Sequence, residues 1–290
     1  MKQRKGIVLA GGRGLRLNPI TSVISKQLLQ IYDKPMIYYP ISTLMLADVR
    51  DILIISTPEH LPLIKDLISK VGNIGVNFEY KAQENPNGIA ESFILAENFL
   101  ADSPCVLILG DNLFYGNGFS ALLQQAGEIS NGAHIFSYKV KNPNQYGVLK
   151  FKNNEIVSIE EKPTKFVSNL AITGLYFYDN DVVKFAKDLK PSQRGELEIT
   201  DINLQYIKKG LLKVTNLPRG FAWLDTGTTE GLLDSANFIA TIERRQGIKI
   251  ACLEEIAWQK KWITTKDLKE LPSTKLNSEY GEYLKNLVES

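Results

Sequence analysis

Ile7-Val8-Leu9-Ala10-Gly11-Gly12-Arg13-Gly14-Leu15-Arg16-Leu17 is the stretch that decides the fold class. A short apolar run stops at a loop of glycines and arginines. Continuous apolar runs of this length suit strands buried on both faces, as in a parallel sheet. Two more follow, Ile52–Ser56 and Val106–Leu109. Between them the apolar spacing predicts helices over Pro35–Leu46, Leu61–Val71 and Ile89–Leu100. Glu91, near the start of the last, suits the positive end of a helix dipole. This alternation predicts an α/β, doubly wound, Rossmann-like sheet.

From Ala133 the pattern changes. Ala133–Val140, Gly147–Phe151, Ile156–Glu160 and Leu175–Tyr178 are β-rich and closely spaced, and Asn153-Asn154 reads as a hairpin turn. They read as antiparallel strands inserted into a mixed sheet. Helical patterns return at Asp181–Leu189 and Glu198–Lys209. From about Thr229 the chain is mostly helical. Tyr280, Tyr283, Leu284 and Leu287 fall on one face of a terminal helix, and Trp258 and Trp262 at i, i+4 read as core or subunit contact. No internal repeat or low-complexity tract interrupts the chain. The expected division is a core over residues 1–228, itself split at about 132/133, and a helical region over 229–290.

Length, 290 residues, suits one large or two ordinary domains. The 34 Lys+Arg against 32 Asp+Glu leave a net charge of +2. A nucleic-acid binder carries a large basic excess, so that class is excluded. A hydrophobic fraction of 44% excludes a disordered chain. The balance conceals an asymmetry. Residues 1–34 carry Lys2, Arg4, Lys5, Arg13, Arg16, Lys26 and Lys34 against Asp33 alone, a net +6, which leaves −4 for the remainder.

Cys105 and Cys252 are too few and too far apart for a disulfide framework and read as reduced, buried thiols. His60 and His134 have no Cys or second His at ligand spacing, which argues against zinc and against histidine catalysis. The basic N-terminus precedes an apolar run too short for a signal peptide. No run approaches the roughly 18 apolar residues of a membrane helix. A cytoplasmic protein is expected.

The glycine loop lacks the Gly-Lys-Ser/Thr of a P-loop, and Leu17 occupies the third glycine position of the dinucleotide pattern. That disfavours an NAD-dependent dehydrogenase. Glycines still let backbone N–H groups approach an anion, and arginines add bidentate donors for phosphate. An ordinary turn with exposed cations is the alternative.

Gly11 to Leu17, with Ser25-Lys26-Gln27-Leu28-Leu29 and Asp33-Lys34-Pro35-Met36-Ile37, resembles the signature of sugar-1-phosphate nucleotidyltransferases. The resemblance continues through Leu109-Gly110-Asp111-Asn112, Glu160-Glu161-Lys162-Pro163, Arg194 to Asp201 and Trp223-Leu224-Asp225-Thr226-Gly227-Thr228, in the family's order. It implies the family's nucleotidyltransferase fold, with the antiparallel insertion serving the sugar. It also implies an enzyme that joins dTTP to glucose 1-phosphate, opening dTDP-rhamnose-type deoxysugar synthesis. A uridylyltransferase of the same fold is the alternative, and a binding subunit without chemistry would have lost Asp111, Arg16, Lys26 or Asp225. The nucleophile of this reaction is already charged, so catalysis is positioning plus charge stabilisation rather than general-base chemistry.

On that resemblance Arg16 and Lys26 hold the triphosphate, and Asp111 and Asp225 hold Mg2+. Leu9, Gly11, Gly12 and Gly14 cradle the nucleotide, and Gln83, Gly88 and Gln27 meet the base. A glutamine offers both a donor and an acceptor, which suits an imide edge. Lys162, expected in extended geometry ahead of Pro163, contacts the sugar phosphate together with Arg194. Glu161 accepts from sugar hydroxyls, and Asn112, Tyr146, Gly147, Thr173, Gly174 and Tyr176 flank the sugar. The family's homotetramers are inhibited by dTDP-rhamnose at a second site, which would place Tyr115, Gly116, Gly220, Glu255 and Ile256 near it.

Overall fold

A computed structural model describes residues 3–12, 14–153 and 155–289. Arg13 of the glycine loop, Asn154 of the expected hairpin turn and Lys2 of the basic segment lie outside them.

The chain opens with β1 (Lys5–Leu9), crosses the glycine loop, and forms a small ladder of β2 (Gln30–Ile31) and β3 (Lys34–Pro35). Then come α1 (Tyr38–Leu46), β4 (Asp51–Ser56), α2 (Leu61–Ser69), β5 (Asn77–Ala82), α3 (Glu91–Leu95), α4 (Glu97–Leu100), β6 (Cys105–Leu109), β7 (Asn112–Tyr115) and α5 (Phe119–Gly127). The strand-rich part holds β8 (Ala133–Lys139), β9 (Gly147–Lys152), β10 (Glu155–Glu161) and β11 (Leu170–Tyr178). α6 (Asp181–Asp188), α7 (Ile199–Lys208), β12 (Leu212–Asn216) and β13 (Ala222–Asp225) follow. Four helices close the chain: α8 (Thr229–Gln246), α9 (Leu253–Gln259), α10 (Thr265–Glu270) and α11 (Glu279–Glu289).

β5, β4, β1 and β6 form the parallel centre. Successive residues of a strand face opposite sides, and these strands feed two cores. Val8, Ile52, Ile54, Val106 and Ile108 pack with Ile41 and Leu44 of α1 and Ile64 of α2. Ile7, Leu53, Ile55, Cys105 and Leu107 pack on the other side with Phe93 and Tyr206. That explains why the runs are apolar throughout rather than alternating. β11 runs antiparallel to β6, then β8 and β9 join β11, so the insertion extends the same sheet, as expected.

Several element boundaries differ from expectation. The helix expected from Pro35 starts at Tyr38, because Met36 and Ile37 give their N–H groups to the carbonyls of Leu29 and Gln27. The helix expected over Ile89–Leu100 is broken at Ala96 into α3 and α4. β11 begins five residues before Leu175. Trp262 lies beyond the end of α9, so it does not share a helix with Trp258. Both cysteines are free and buried, and Leu284 of α11 is fully buried. No helix among the described residues is long and apolar enough to cross a membrane.

Candidate active site

β1 and β6 are hydrogen-bonded neighbours, and both point their carboxyl ends at the glycine loop. Open α/β sheets bind ligands at that end. Gly14 takes a left-handed conformation, φ 62°, and its carbonyl accepts from the Thr21 hydroxyl at 2.8 Å. This closes the loop over Lys26, whose Cε lies 3.6 Å from where a Cβ on Gly12 would be. Lys26 Nζ forms an ion pair with Asp111 Oδ2.

Asp225 reaches the same place by another route. β13 pairs antiparallel with β7, with Asp225 opposite Asn112. Thr226 then gives both its N–H (3.2 Å) and its hydroxyl (2.8 Å) to the Asp111 carbonyl. Arg16 closes the group: a Cβ on Gly227 would stand 2.6 Å from its Nη2 and 3.0 Å from Asp225 Oδ1.

The two carboxyls are tuned in opposite directions. Burial pushes Asp111 up, but the Lys26 charge and hydrogen bonds from Lys26 and Asn112 outweigh it and hold Asp111 below the usual range. Burial and then the Asp111 charge push Asp225 up, against a Gly227 N–H, Arg16 and Lys26. Among the described residues no cluster of three or more His, Cys, Asp or Glu could hold a metal. Magnesium needs only one or two carboxylates when phosphate oxygens and water complete its shell. This pair, all oxygen and mutually repelling, fits such an ion.

Beyond the carboxylates a cleft of about 190 Å³ opens between β11, α7 and β13. Arg16, Tyr146, Gly147, Glu161, Lys162 and Tyr176 line it together with both aspartates. Glu161 Oε2 accepts from the Thr200 hydroxyl at 2.6 Å. A Cβ on Gly147 would lie 3.0 Å from that oxygen, so the glycine keeps the approach open. Burial, then Glu161, raises the Tyr176 phenol, so it stays protonated.

Lys162 is not extended. Its φ is 44°, and its N–H donates to the Tyr146 carbonyl at 3.0 Å. That bond closes the β9–β10 pair at its end, so the chain must turn sharply there. A left-handed non-glycine residue beside a site is strain held in place by its surroundings.

The sequence profile of the nucleotidyl transferase family matches residues 5–242. The chain belongs to that family. A glucose-1-phosphate thymidylyltransferase of Neisseria meningitidis is 52% identical over 285 residues, 98% of this chain and 99% of that one. Another, of Mycobacterium tuberculosis, is 49% identical over 286 residues, again 98% and 99%. A Bacillus anthracis crystal structure provisionally named a glucose-1-phosphate thymidylyltransferase, with sucrose bound, superposes with a TM-score of 0.72 at 40% identity. It covers 81% of this chain and 94% of its own. A UDP-glucose pyrophosphorylase with UDP-glucose gives 0.73 at 23% identity, over 84% and 100%, a likeness of fold.

In this nucleotidyl transferase some expected residues stand elsewhere than in the cleft. Thr173 is fully buried and gives its hydroxyl to the Phe136 carbonyl at 3.2 Å. Arg194 does not line the cleft. Its guanidinium grips Glu198 at 3.0 and 2.7 Å, with Glu161 at 3.8 Å. Gln27 is 1% exposed, and its carbonyl oxygen accepts from the Ser25 hydroxyl. Asn112 lines the cleft but acts as a bracket. Its oxygen accepts from Gly174 N–H (3.0 Å) and Trp223 Nε1 (2.6 Å), and its nitrogen donates to Asp111 Oδ1 (3.1 Å).

On the nucleotide side, the Leu9 carbonyl accepts from Gly110 N–H, and Gln83 lies against Gly11. Gly88 has φ 109°, and a Cβ there would strike the Leu197 backbone. The sequence reading did not single out Trp223, Thr226 or Thr200 by role. Each stood inside a motif, but only its partner reveals its work.

Tyr115, Gly116, Glu255 and Ile256 do meet, in a separate cleft of about 450 Å³ with Ser42 and Lys249. Gly220 is not among the lining residues; it sits in the turn before β13 with φ 95°.

Proposed function

We propose that this protein transfers the thymidylyl group of dTTP to glucose 1-phosphate, giving dTDP-glucose and pyrophosphate. The observation that carries the reading is the convergence of Arg16, Lys26, Asp111 and Asp225 on the mouth of one cleft. Two polyanions must meet in line there, and this set supplies two cations and a carboxylate pair. Full-length relatives that carry the thymidylyltransferase name support the choice of nucleotide and sugar.

The residues divide the work. Arg16 and Lys26 bind the triphosphate and take up charge as pyrophosphate departs. Lys162 holds the sugar phosphate so that its oxygen faces the α-phosphorus. Glu161, oriented by Thr200, accepts from sugar hydroxyls, while Tyr146 and Tyr176 wall the sugar. Asn112 and Thr226 hold Asp111 in place. Asp111 and Asp225 would hold Mg2+, which supplies charge neutralisation of the phosphates when bound. No general base is needed, because the attacking oxygen is already anionic.

Residues 1–132 serve the nucleotide and 133–228 the sugar, with 229–290 as subunit contact in a homotetramer. The meeting of Tyr115, Gly116, Glu255 and Ile256 supports a second, regulatory site for dTDP-rhamnose, in keeping with an entry step of deoxysugar synthesis in the cytoplasm.

Thymine and uracil differ by one methyl, about 0.8 kcal/mol if fully buried, so hydrophobic contact alone does not exclude UTP. Steady-state rates with dTTP and UTP against glucose 1-phosphate test the reading. The expected result is Mg2+-dependent pyrophosphate release with dTTP preferred; a clear UTP preference favours the uridylyl alternative. Sedimentation equilibrium should give a tetramer, and a stable monomer would contradict it.

A further inference from the structure

Glu91, at the start of α3, takes an amide donor on each carboxylate oxygen. Gln83 Nε2 donates to Oε2 at 2.7 Å, and Asn87 Nδ2 donates to Oε1 at 2.8 Å. A carboxylate offers acceptors only. Gln83 must therefore turn its nitrogen toward Glu91 and its oxygen the other way. That oxygen faces the glycine loop, 2.5 Å from where a Cβ on Gly11 would stand. Gln83 is only 5% exposed. Yet its oxygen accepts no hydrogen bond from a described residue.

We propose that Glu91 is a positioning residue for base selection. By fixing the sense of the Gln83 amide, it presents an acceptor to the incoming base. That arrangement admits a pyrimidine with a ring N–H and rejects one with a ring lone pair at the same position. The proposal rests on the reading that Gln83 meets the base. Thymine and uracil carry an N–H between their two carbonyls, and cytosine carries an unprotonated nitrogen there. The Gln83 oxygen pairs with the first and opposes the second. The Asn87 bond ties the turn that holds Gly88 to the same carboxylate, and Leu197 N–H anchors that turn through the Asn87 carbonyl at 2.6 Å. One acidic side chain thus sets both the amide and the loop.

The test is Glu91→Gln, which keeps the shape but can either accept from Gln83 or donate to it. kcat/KM is measured with dTTP, dUTP and dCTP against glucose 1-phosphate. The wild type should favour dTTP over dCTP by about 100-fold, and Glu91→Gln should shrink that ratio by about ten-fold. The dTTP-to-dUTP ratio should not change, because both bases carry the ring N–H. Glu91→Ala, which frees the amide altogether, should shrink the dCTP discrimination at least as far. An unchanged dTTP-to-dCTP ratio in both variants overturns the proposal. So does a matched fall in both ratios, which general loosening of the base site would produce. A wild type that uses dCTP as readily as dTTP overturns the underlying reading of Gln83, and the proposal with it.

Discussion

Asp225 stands opposite Asn112 on the antiparallel ladder of β7 and β13, one residue along from Asp111. The pairing sets two carboxylates side by side, and burial plus the Asp111 charge makes ionised Asp225 costly. A carboxyl whose folded pKa is raised subtracts stability above its unfolded value, near 3.9, and the penalty disappears below that pH. Asp225→Asn should therefore raise the Tm of the metal-free protein at pH 7 while cutting turnover by about 100-fold or more. Added Mg2+ should raise the wild-type Tm but not that of the variant. A lower Tm together with full activity would remove Asp225 from this role.

Lys162 and Arg194 were expected to share the sugar phosphate, and the structure separates them. Lys162 lines the cleft, whereas Arg194 is committed to Glu198. Lys162→Ala should raise KM for glucose 1-phosphate by roughly ten-fold or more, the worth of a charge-assisted hydrogen bond. Arg194→Ala should change that KM by less than about three-fold, since the pair it breaks is part-exposed and worth about 1 kcal/mol or less. Initial rates across sugar-phosphate concentration separate the two. A ten-fold KM effect in Arg194→Ala would return it to the phosphate.

Gly227 has no strained backbone to explain it, yet a Cβ there would meet Arg16 Nη2 at 2.6 Å. Gly227→Ala should displace the guanidinium and lower kcat by about ten- to a hundred-fold, with little change in thermal stability. Wild-type kcat in this variant would show that the position of Arg16 does not matter.

His134 supplies the pH dependence. It is 1% exposed, its Nε2 contacts the Thr215 hydroxyl at 2.7 Å, and its Nδ1 has no hydrogen-bond partner among the described residues. Burial, then Lys213, lowers its pKa to about 4. The unfolded chain therefore binds this proton first as pH falls. Stability from the neutral ring is complete above about pH 6.5 and is lost toward pH 4, on the order of 3 kcal/mol. Denaturant unfolding across that range should show the loss, and His134→Phe should flatten it. An equal slope in the variant would assign the acid sensitivity elsewhere.

Which parts were legible follows from the range of the forces involved. The parallel centre could be read because burial on both faces demands uninterrupted apolar runs, and Ile7–Ala10, Ile52–Ser56 and Val106–Leu109 are local patterns. β7 and β12 escaped notice. The first is short and follows the Asp111 motif directly, and the second is a five-residue strand with only Leu212 and Val214 as its apolar positions. Lys162 departs from the extended geometry expected before proline because that rule is local, whereas its N–H is held by the carbonyl of Tyr146, just ahead of β9. Gln27 lies in a motif and Thr173 was expected beside the sugar, but packing buries both.

By itself the sequence determined the α/β class, the glycine loop with its basic surroundings, and the motifs that carry the family resemblance. All of these are written in neighbouring residues. Only the tertiary structure decided which distant groups meet. It set Asp225 beside Asp111 through β7 and β13, turned Arg194 onto Glu198, and fixed the sense of the Gln83 amide through Glu91. Hydrogen bonds and charges act over a few ångströms, so their partners depend on how the chain returns to itself rather than on the order of its residues.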